Sequence, residues 1–274
     1  MIKKISIILA VVLLTFSTSC SAKKNTFTIV CIETNYGKIL VKLYPETSKH
    51  KENFLKLVEK KFYNGVLFHR VIANFMIQAG DPESKNAKSD ALLGSGDVGY
   101  TIPAEFIYPR YYHKRGALAA AREGDDANPL KASSGCQFYI VQGRTFSNEE
   151  LNSMEETNKG KLQSKLFQEI LAKNQELVKK YSEEQNQVKL NELGNKIMEE
   201  VQQKVKGDSS YIFTAKQRAD YTTIGGTPHL DGSYTVFGEV IEGMDVVAKI
   251  AKVQIGKNDR PINDVKILSA KVLK

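Results

Sequence analysis

Two polar side chains stand at the ends of an apolar stretch of the sequence, FHRVIANFMIQAGD at residues 68–81. Arg70 stands ahead of the apolar run and Gln78 near its end, just before Gly80 and Asp81. A strand that only fills a core has no use for a guanidinium, because burying an unpaired charge costs several kcal/mol. A guanidinium donates hydrogen bonds, and an amide both donates and accepts them. The pattern therefore predicts either two groups that point to solvent or a site that holds its ligand by hydrogen bonds.

The composition is that of a globular protein. Of the 274 residues 42% are hydrophobic and 26% are charged, and twelve Tyr and twelve Phe stand against no Trp, which argues against disorder along the whole chain. The formal net charge is +8, a surplus that could suit nucleic acid. Lys and Glu alternate through much of the sequence, however, and no compact Lys/Arg block is present. We therefore expect no nucleic-acid partner, and an acidic membrane surface or client explains the charge better.

Residues 1–19 have the organisation of an export signal. Two lysines begin it, residues 5–16 are apolar but fewer than the about 20 needed to span a bilayer, and small residues precede Cys20. A cysteine in this place resembles the lipidation site of bacterial lipoproteins, although Ser17 stands where leucine is usual. The sequence predicts a lipid anchor at Cys20. A plain cleaved secretory signal and an uncleaved anchor are the alternatives.

Residues 20–25 would form the tether of that anchor. Ser21, Lys23 and Lys24 resemble the tethers of lipoproteins that stay at the outer membrane on its periplasmic side. We therefore expect the protein in the bacterial cell envelope, anchored to a membrane through its lipid and facing the periplasm.

Three further residues could bind a metal or form a disulfide. Cys31 and Cys136 fall in strand-like segments, where buried thiols are favoured and a disulfide is possible in an oxidising compartment. His69 has no partner at the spacing of a metal ligand, so a packed histidine is favoured. No metal site is predicted.

Short strands and helices account for the rest of the chain outside one long block. Apolar and polar residues alternate on both sides of the turn at 34–37, which predicts a hairpin, and Thr47 or Ser48 could cap a helix that stops at Asn64 and Gly65. Further strand or extended segments are predicted at 100–106, 116–121, 137–142, 234–241 and 265–273, with a short helix at 245–251. Closing such strands into an antiparallel β-barrel removes their exposed edges.

Residues 147–221 have a different texture. They contain no proline and are dense in Glu, Gln, Lys and Leu. Apolar residues recur there at steps of four, as at Leu193, Ile197, Val201 and Val205. Ser147 with Glu150, and Thr214 with Gln217, fit the capping-box pattern of a helix start. This block is predicted to be a helical insertion, in which Gly194 and Gly207 are either breaks or tolerated interior glycines.

The stretch at 68–81 resembles the segment of cyclophilin-type peptidyl-prolyl isomerases that carries the catalytic arginine, with a match at every signature position. Further matches follow in the same chain order: GALAAA at 116–121, SGCQFYI at 134–140, LDG at 230–232 and YTVFG at 234–238. The resemblance covers residues 26–146 and 222–274 and excludes the helical block. It implies a mainly β protein with added α-helices, a closed antiparallel β-barrel with flanking helices, interrupted by the insertion.

The resemblance also implies a reaction, rotation about the X-Pro peptide bond. Peptide rotation has a barrier of about 18–20 kcal/mol, because partial double-bond character is lost on the way. The imide nitrogen then becomes pyramidal and its lone pair can accept a hydrogen bond, which it hardly does in the planar ground state. A donor placed there stabilises only the transition state. No nucleophile and no cofactor is required.

Each residue of the implied site has a role by resemblance. Arg70 is the donor and, with Gln78, forms the catalytic pair; Gln78 and Gln137 hold backbone groups of the substrate. The peptide backbone passes Ala121 and Arg122. The remaining binding residues form or border the proline pocket: Phe75, Met76, Tyr139, His229, Leu230 and Tyr234. The alternatives are purely structural roles: a surface arginine at Arg70, and buried amides that bond to backbone at Gln78 and Gln137.

Three positions depart from the commonest family pattern. Arg122 replaces asparagine, which would add charge at the rim of the groove. Tyr139 replaces phenylalanine, so its hydroxyl needs a partner or water. His229 replaces the tryptophan of cyclosporin-sensitive members, which implies weak cyclosporin binding without loss of activity.

Two functions remain open on the sequence. The first is a lipid-anchored isomerase that acts on proline-containing segments of exported proteins. The second is a chaperone or assembly factor that uses the groove and the helical block mainly for binding. The block itself is either a packed insertion, an arm that docks clients or partners, or a membrane-facing or flexible arm.

Overall fold

Ten strands and six helices make up residues 27–273, the part of the chain that the computed structural model describes. The strands are β1 (Thr28–Thr34), β2 (Gly37–Leu43), β3 (Arg70–Ile72), β4 (Met76–Ala79), β5 (Thr101–Ile102), β6 (Ala117–Ala120), β7 (Ser133–Ser134), β8 (Phe138–Val141), β9 (Val236–Glu242) and β10 (Ile267–Leu273). The helices are α1 (Ser48–Glu59), α2 (Asn148–Lys173), α3 (Gln175–Glu183), α4 (Gln187–Gly207), α5 (Ala215–Thr223) and α6 (Met244–Ile250).

Eight of these strands form one antiparallel sheet in the order β10-β1-β2-β9-β6-β8-β4-β3. The sheet curls until the chain just before β3 meets β10, the strand at the other edge. Backbone N–H groups of Gly65 and Phe68 donate to the carbonyls of Ile267 and Val265, each at 2.8 Å. The predicted antiparallel barrel with flanking helices is therefore confirmed, and its edges are paired rather than left open.

The two faces of the curled sheet bury different clusters. One face, which includes Val71, Ile77 and Ile140, forms the main core together with Phe54 and Leu57 of α1. The opposite face carries a second cluster of buried side chains: Tyr44, Met76, Ala117, Ala119, Tyr139, Val141 and Val236. Successive residues of β4 and β8 alternate between the two clusters, because side chains along a strand point to opposite faces. The apolar run in the sequence thus serves two separate surfaces.

Helix α1 begins where the sequence predicts, but its cap comes from elsewhere. Thr47 takes the N-cap position without a side-chain capping bond. The carboxylate of Glu105 instead accepts from the backbone N–H of Lys49 at 3.2 Å and of His50 at 3.0 Å. An anion suits the positive end of a helix. A residue distant in sequence therefore replaces the predicted local cap.

The helical insertion consists of α2, α3, α4 and α5. Both predicted capping boxes are present, at Ser147 with Glu150 and at Thr214 with Gln217. The breaks fall at Asn174 and at 184–186, whereas Gly194 lies inside α4. Helices α2, α3 and α4, hereafter the arm, share a buried apolar cluster of their own: Ile170, Leu193, Ile197, Val201 and Val205. The arm is thus held by side chains that face one another.

Neither remaining cysteine of the described chain is in a disulfide. Cys31 is half-buried, and Cys136 is buried. Burial raises the pKa of the Cys136 thiol to about 11, so this thiol stays protonated at neutral pH. Cys20 and the export signal lie outside the described residues. No helix within residues 27–273 is both long and apolar enough to cross a membrane.

His69 is a buried histidine whose pKa is lowered. Its side chain is 3% exposed, and neither ring nitrogen has a hydrogen-bond partner among the described residues. Burial lowers the pKa of His69 from 6.5 to about 4, against an opposing attraction from Asp81. The imidazole is therefore neutral at physiological pH.

The lowered pKa of His69 makes folding stability depend on pH. The unfolded chain protonates this histidine near pH 6.5, whereas the folded protein does so only near pH 4. Between these values the unfolded state binds more protons, so the free energy of unfolding falls as the pH is lowered. We expect His69→Gln to reduce this acid sensitivity by up to roughly 3 kcal/mol across the window, measured by urea unfolding at a series of pH values.

The variant keeps a residual slope, because burial also lowers the pKa of His50. Identical pH dependences for wild type and His69→Gln would contradict the assignment.

Candidate active site

The register of three strands brings the predicted polar groups together. Arg70 of β3 is paired with Gln78 of β4, and Gln78 is paired with Tyr139 of β8. Tyr139 is in turn paired with Ala119 of β6. Directly paired residues of antiparallel strands point to the same face. Arg70, Gln78 and Tyr139 therefore form one row on the face opposite the main core.

This row borders a cavity of about 310 Å³, hereafter the main cavity. Nine residues of the predicted site line it: Arg70, Phe75, Met76, Gln78, Ala121, Arg122, Tyr139, Leu230 and Tyr234. The sequence did not predict four others: His69, Leu93, Gly94 and Asn258. Apolar side chains thus form most of the predicted lining, with Arg70 and Gln78 beside them. The polar ends of the 68–81 stretch line a site rather than simply facing solvent.

Arg70 lies at the mouth of the main cavity and is held by one ion pair. Its Nε donates to Oδ2 of Asp259 at 3.3 Å, and the two side chains are 42% and 38% exposed. Asp259 and the preceding Asn258 both have left-handed backbone conformations, with φ of 60° and 56°. Within residues 27–273 no hydrogen bond engages Nη1 or Nη2 of Arg70. These two nitrogens remain available to a ligand.

The Gln78 amide is fixed by Gln137. Gln78 Nε2 donates to Gln137 Oε1 at 3.0 Å, and Gln137 Nε2 donates to the carbonyls of Gly94 and Gly96 at 2.9 and 2.8 Å. Gln137 is 7% exposed and lines no part of the main cavity. Its side chain therefore bonds within the protein and holds Gln78 and the loop at 94–96 in place.

Asp81, the last residue of the 68–81 stretch, also holds the loop at 94–96. Asp81 is fully buried, and its Oδ2 accepts from the backbone N–H of Gly94 at 2.5 Å and of Gly96 at 3.4 Å. A Cβ on Gly96 would lie 2.1 Å from Oδ1 of Asp81. Glycine is therefore required at 96 for the carboxylate to come this close.

Arg122 is not the free charge at the groove rim that the sequence predicts. Its guanidinium carbon lies 4.3 Å from the ring centroid of Tyr234, and its Nη2 lies 2.7 Å from Asp125 Oδ1. Its Nε donates to the Ser233 carbonyl at 2.8 Å, and the side chain is 4% exposed. Arg122 is thus neutralised and buried, and it supports the Tyr234 wall of the main cavity.

The added hydroxyl of Tyr139 has a partner. It lies 3.0 Å from Nε2 of His113, whose Nδ1 lies 3.0 Å from Oδ1 of Asp231. Burial raises the pKa of Tyr139 well above its ordinary value, so the phenol remains protonated. Because Asp231 as a carboxylate only accepts hydrogen bonds, Nδ1 of His113 carries a proton and donates to it, and in a neutral ring Nε2 then accepts from the Tyr139 hydroxyl.

His229 supports the site from outside the main cavity. Its ring packs against Phe75 with 5.5 Å between centroids. Burial lowers the pKa of His229, which favours the neutral ring. His229 is nevertheless exposed as a whole residue, and it is not among the residues that line the main cavity, where the family resemblance predicts it.

Some contacts of the site could not be predicted from the sequence. Asp231 belongs to the LDG motif and His113 precedes GALAAA, but neither pattern indicates that the two side chains form a hydrogen bond. Asp259 lies in a loop without a recognised motif, so nothing in the sequence indicated that its carboxylate contacts Arg70. Long-range contacts of this kind depend on the closed sheet.

The arrangement suits a polypeptide that enters the main cavity with one apolar side chain. A second groove of about 920 Å³ adjoins it and shares Gln78, Gly94, Ala121 and Arg122 with it. Gln137, a predicted binding residue, lines this groove. An extended chain could thus place an apolar ring in the main cavity while its neighbours lie in the groove. Arg70 and Gln78 would meet the backbone between them. The site supplies hydrogen bonds and apolar contact, and it needs no nucleophile.

Comparison with known proteins identifies the family. A family model described as "Cyclophilin type peptidyl-prolyl cis-trans isomerase/CLD" matches residues 29–192 and 173–272. A protein of Staphylococcus saprophyticus named "Putative peptidyl-prolyl cis-trans isomerase" is 29% identical over 244 residues, which cover 88% of this chain and 90% of the relative. A Staphylococcus haemolyticus protein of the same name is 28% identical over 245 residues, 89% of this chain and 90% of the relative.

Solved structures share the fold. The crystal structure of a cyclophilin-type peptidyl-prolyl cis-trans isomerase from Cryptosporidium parvum has a TM-score of 0.54 and 20% identity, and covers 91% of this chain and 99% of its own. A second crystal structure of it, in the presence of the dipeptide Ala-Pro, has a TM-score of 0.53. The family model spans most of the chain, and the fold agrees with it. The chain therefore belongs to the cyclophilin-type peptidyl-prolyl cis-trans isomerases and is an enzyme of that class.

Proposed function

We propose that the enzyme rotates X-Pro bonds in exported polypeptides, with Arg70 stabilising the twisted imide and the main cavity holding the proline ring. The observation that carries this proposal is the cross-strand row of Arg70, Gln78 and Tyr139 beside an apolar cavity. A ring of proline size fits a cavity of about 310 Å³. The row supplies the polar groups that the rotation needs.

Arg70 acts at the nitrogen. During rotation the imide loses its partial double-bond character, and the nitrogen lone pair becomes able to accept a hydrogen bond. Nη1 or Nη2 of Arg70 donates that bond, while Nε stays on Asp259. The bond is absent from the planar ground state, so it lowers the barrier rather than merely tightening binding. Asp259 orients the guanidinium and is not itself in contact with the substrate.

Gln78 and Arg122 hold the chain on either side of the rotating bond. Gln137 engages the amide nitrogen of Gln78, which leaves Gln78 Oε1 for a backbone N–H of the substrate. Both backbone groups of Ala121 bond to Gln137 and Ser134. The backbone groups of Arg122 have no such partner in the described part of the chain, so we assign the substrate backbone contact to Arg122.

Two observations support the binding of a proline ring in the main cavity. Phe75, Met76, Leu230 and Tyr139 offer apolar surface to a ring. The similar structure from Cryptosporidium parvum was determined in the presence of Ala-Pro, a dipeptide with the chemistry that we assign to this cavity. Proline-containing segments are therefore the proposed partners.

Removing the donor tests the proposed mechanism. We expect Arg70→Ala to lower kcat/KM for a proline tetrapeptide by about 10²-fold or more, roughly 2.7 kcal/mol of transition-state stabilisation. Protease-coupled cis/trans isomerisation measures this directly. Arg110→Ala is the matched control, because Arg110 pairs with Glu46 and lines no part of the main cavity. A rate for Arg70→Ala within threefold of the control would contradict the assigned role.

We further propose that the enzyme is anchored by lipid at Cys20 in the bacterial cell envelope, on the periplasmic side of the outer membrane. The support is the sequence pattern alone: the lysines and apolar run within residues 1–19, the small residues before Cys20, and the polar residues that follow it.

Lipidation predicts a change in fractionation. Cys20→Ser should abolish metabolic labelling with a palmitate analogue and release the protein from the membrane fraction. A labelled and membrane-bound Cys20→Ser variant would contradict the anchor. Sucrose-gradient separation of membranes tests the outer-membrane assignment separately.

A second candidate function is client holding by the arm. Leu177, Val188 and Met198 are apolar residues of the arm that are 40%, 67% and 46% exposed. Such side chains offer contact surface to an unfolded polypeptide. Catalysis would then be incidental to binding.

Point variants separate the two candidates. Holding by the arm predicts that replacing Leu177, Val188 and Met198 by serine abolishes suppression of aggregation of a heat-unfolded model protein, while Arg70→Ala retains it. The enzyme proposal predicts that the triple variant isomerises the tetrapeptide at the wild-type rate. Normal suppression by the triple variant would remove the second candidate.

A further inference from the structure

Aromatic residues form the joint between the helical insertion and the barrel. The joint cluster consists of Tyr112, Phe146, Leu151, Phe213 and Tyr221. Tyr221 of α5 is fully buried at its centre, with its ring 5.8 Å from Tyr112 and 5.6 Å from Phe213 between centroids. Any displacement of α5 against the barrel must therefore move Tyr221.

Hydrogen bonds and buried contacts connect helices α2 and α5 at this joint. Oε1 of Glu155 in α2 accepts from the backbone N–H of Phe213 at 2.9 Å and from Nη2 of Arg218 in α5 at 2.7 Å. Leu151 of α2 is fully buried in the joint cluster. Helix α2 is the first helix of the arm, so these contacts fix the position of the arm relative to the barrel.

From Tyr221 an unbroken set of hydrogen bonds leads to the main cavity. The Tyr221 hydroxyl donates to Oδ2 of Asp231 at 2.6 Å. Oδ1 of Asp231 accepts from the backbone N–H of His113 at 2.9 Å and from its Nδ1 at 3.0 Å. Nε2 of His113 and the Tyr139 hydroxyl share a hydrogen bond of 3.0 Å. Because the carboxylate cannot donate, the Tyr221 hydroxyl and Nδ1 of His113 are the donors to Asp231.

The participants are removed from water, which makes these bonds hard to replace. His113 and Tyr221 have no exposed surface, and Tyr139 is 4% exposed; the Asp231 side chain is 5% exposed. A buried polar group left without its partner carries a desolvation penalty, and no solvent is at hand to substitute. A change at Tyr221 must therefore be absorbed by Asp231 and its other partners.

Asp231 controls two walls of the main cavity. Through His113 it holds Tyr139, and through the backbone it is joined to Leu230, the residue before it; both line the cavity. We propose that Tyr221 is a positioning residue of the proline pocket, through which the helical insertion sets the placement of Tyr139 and Leu230. The inference rests on the proposed use of the main cavity as the proline site.

This coupling gives the insertion a role in catalysis without contact with substrate. A partner or client that displaced α5 would loosen the Tyr221 bond to Asp231, and both walls would lose their fixed position. Proline binding would weaken, while Arg70 on β3 would keep its own bond to Asp259. The expected effect is therefore on KM more than on kcat.

A matched pair of variants tests the proposal. Tyr221→Phe and Tyr112→Phe each remove one buried phenol hydroxyl from the joint cluster. The Tyr112 hydroxyl bonds to Asp220, whereas the Tyr221 hydroxyl bonds to Asp231. Both variants should lower the melting temperature. Only Tyr221→Phe should raise KM for the proline tetrapeptide, by about 3- to 10-fold, with a smaller change in kcat.

A double-mutant cycle locates the coupling. If the effect of Tyr221 reaches the cavity through Tyr139, the KM changes of Tyr221→Phe and Tyr139→Phe should not add in the double variant. Additive changes would overturn the route through Tyr139, and a KM for Tyr221→Phe equal to that of Tyr112→Phe would overturn the whole proposal.

Imidazole ¹⁵N shifts provide a readout that does not depend on activity. His113 should show the Nδ1–H form in the wild type, and its shifts should change in Tyr221→Phe but not in Tyr112→Phe. Unchanged His113 shifts in Tyr221→Phe would overturn the coupling through His113 even if the KM of this variant rises. A wild-type protein that neither binds nor isomerises the peptide would refute the proline site, and the His113 shifts would still decide whether Tyr221 acts on His113.

Discussion

The register between β3, β4 and β8 is the constraint on which the site depends. Side chains alternate between the faces of a sheet, so a shift of one residue would move Arg70 and Gln78 into the core and bring core residues into the cavity. Gly80 helps to hold this register at the end of β4. A Cβ there would lie 2.2 Å from the Cys136 carbonyl oxygen, so only glycine allows the chain to pass beside the start of β8.

Around that row most polar side chains inside the protein are bonded to one another, the ring nitrogens of His69 excepted, while Nη1 and Nη2 of Arg70 have no partner among residues 27–273. Gln137 and Asp81 fasten the loop at 94–96. Arg122 is neutralised by Asp125. Because the supporting polar groups are occupied, few conformations compete with the one that presents Arg70 and Gln78. Preorganised donors of this kind need little rearrangement when charge develops in a transition state.

Local sequence patterns and the family resemblance predicted part of the fold and part of the site. The hairpin, both capping boxes, the helical insertion and nine lining residues of the main cavity follow from spacing or from motif. The Glu105 cap of α1, the Asp259 contact to Arg70 and the burial of Arg122 do not. Each joins residues distant in sequence or depends on a loop without a motif. The break at Asn174 was not predicted for another reason: glycine is the expected helix breaker, yet Gly160 and Gly194 lie inside α2 and α4, and Gly207 ends α4.

If Arg70 binds the twisted imide and not the planar one, removing it should slow cis/trans exchange of the bound peptide without weakening ground-state binding. NMR exchange spectroscopy of an X-Pro peptide, recorded with wild type and Arg70→Ala, separates the rate of cis/trans exchange on the enzyme from the peptide Kd. The structure predicts that on-enzyme exchange is lost in the variant while the Kd changes by about threefold or less, since the bond forms only at the transition state. A Kd weakened in proportion to the lost exchange rate would show that Arg70 binds the ground state and would contradict its role as a transition-state donor.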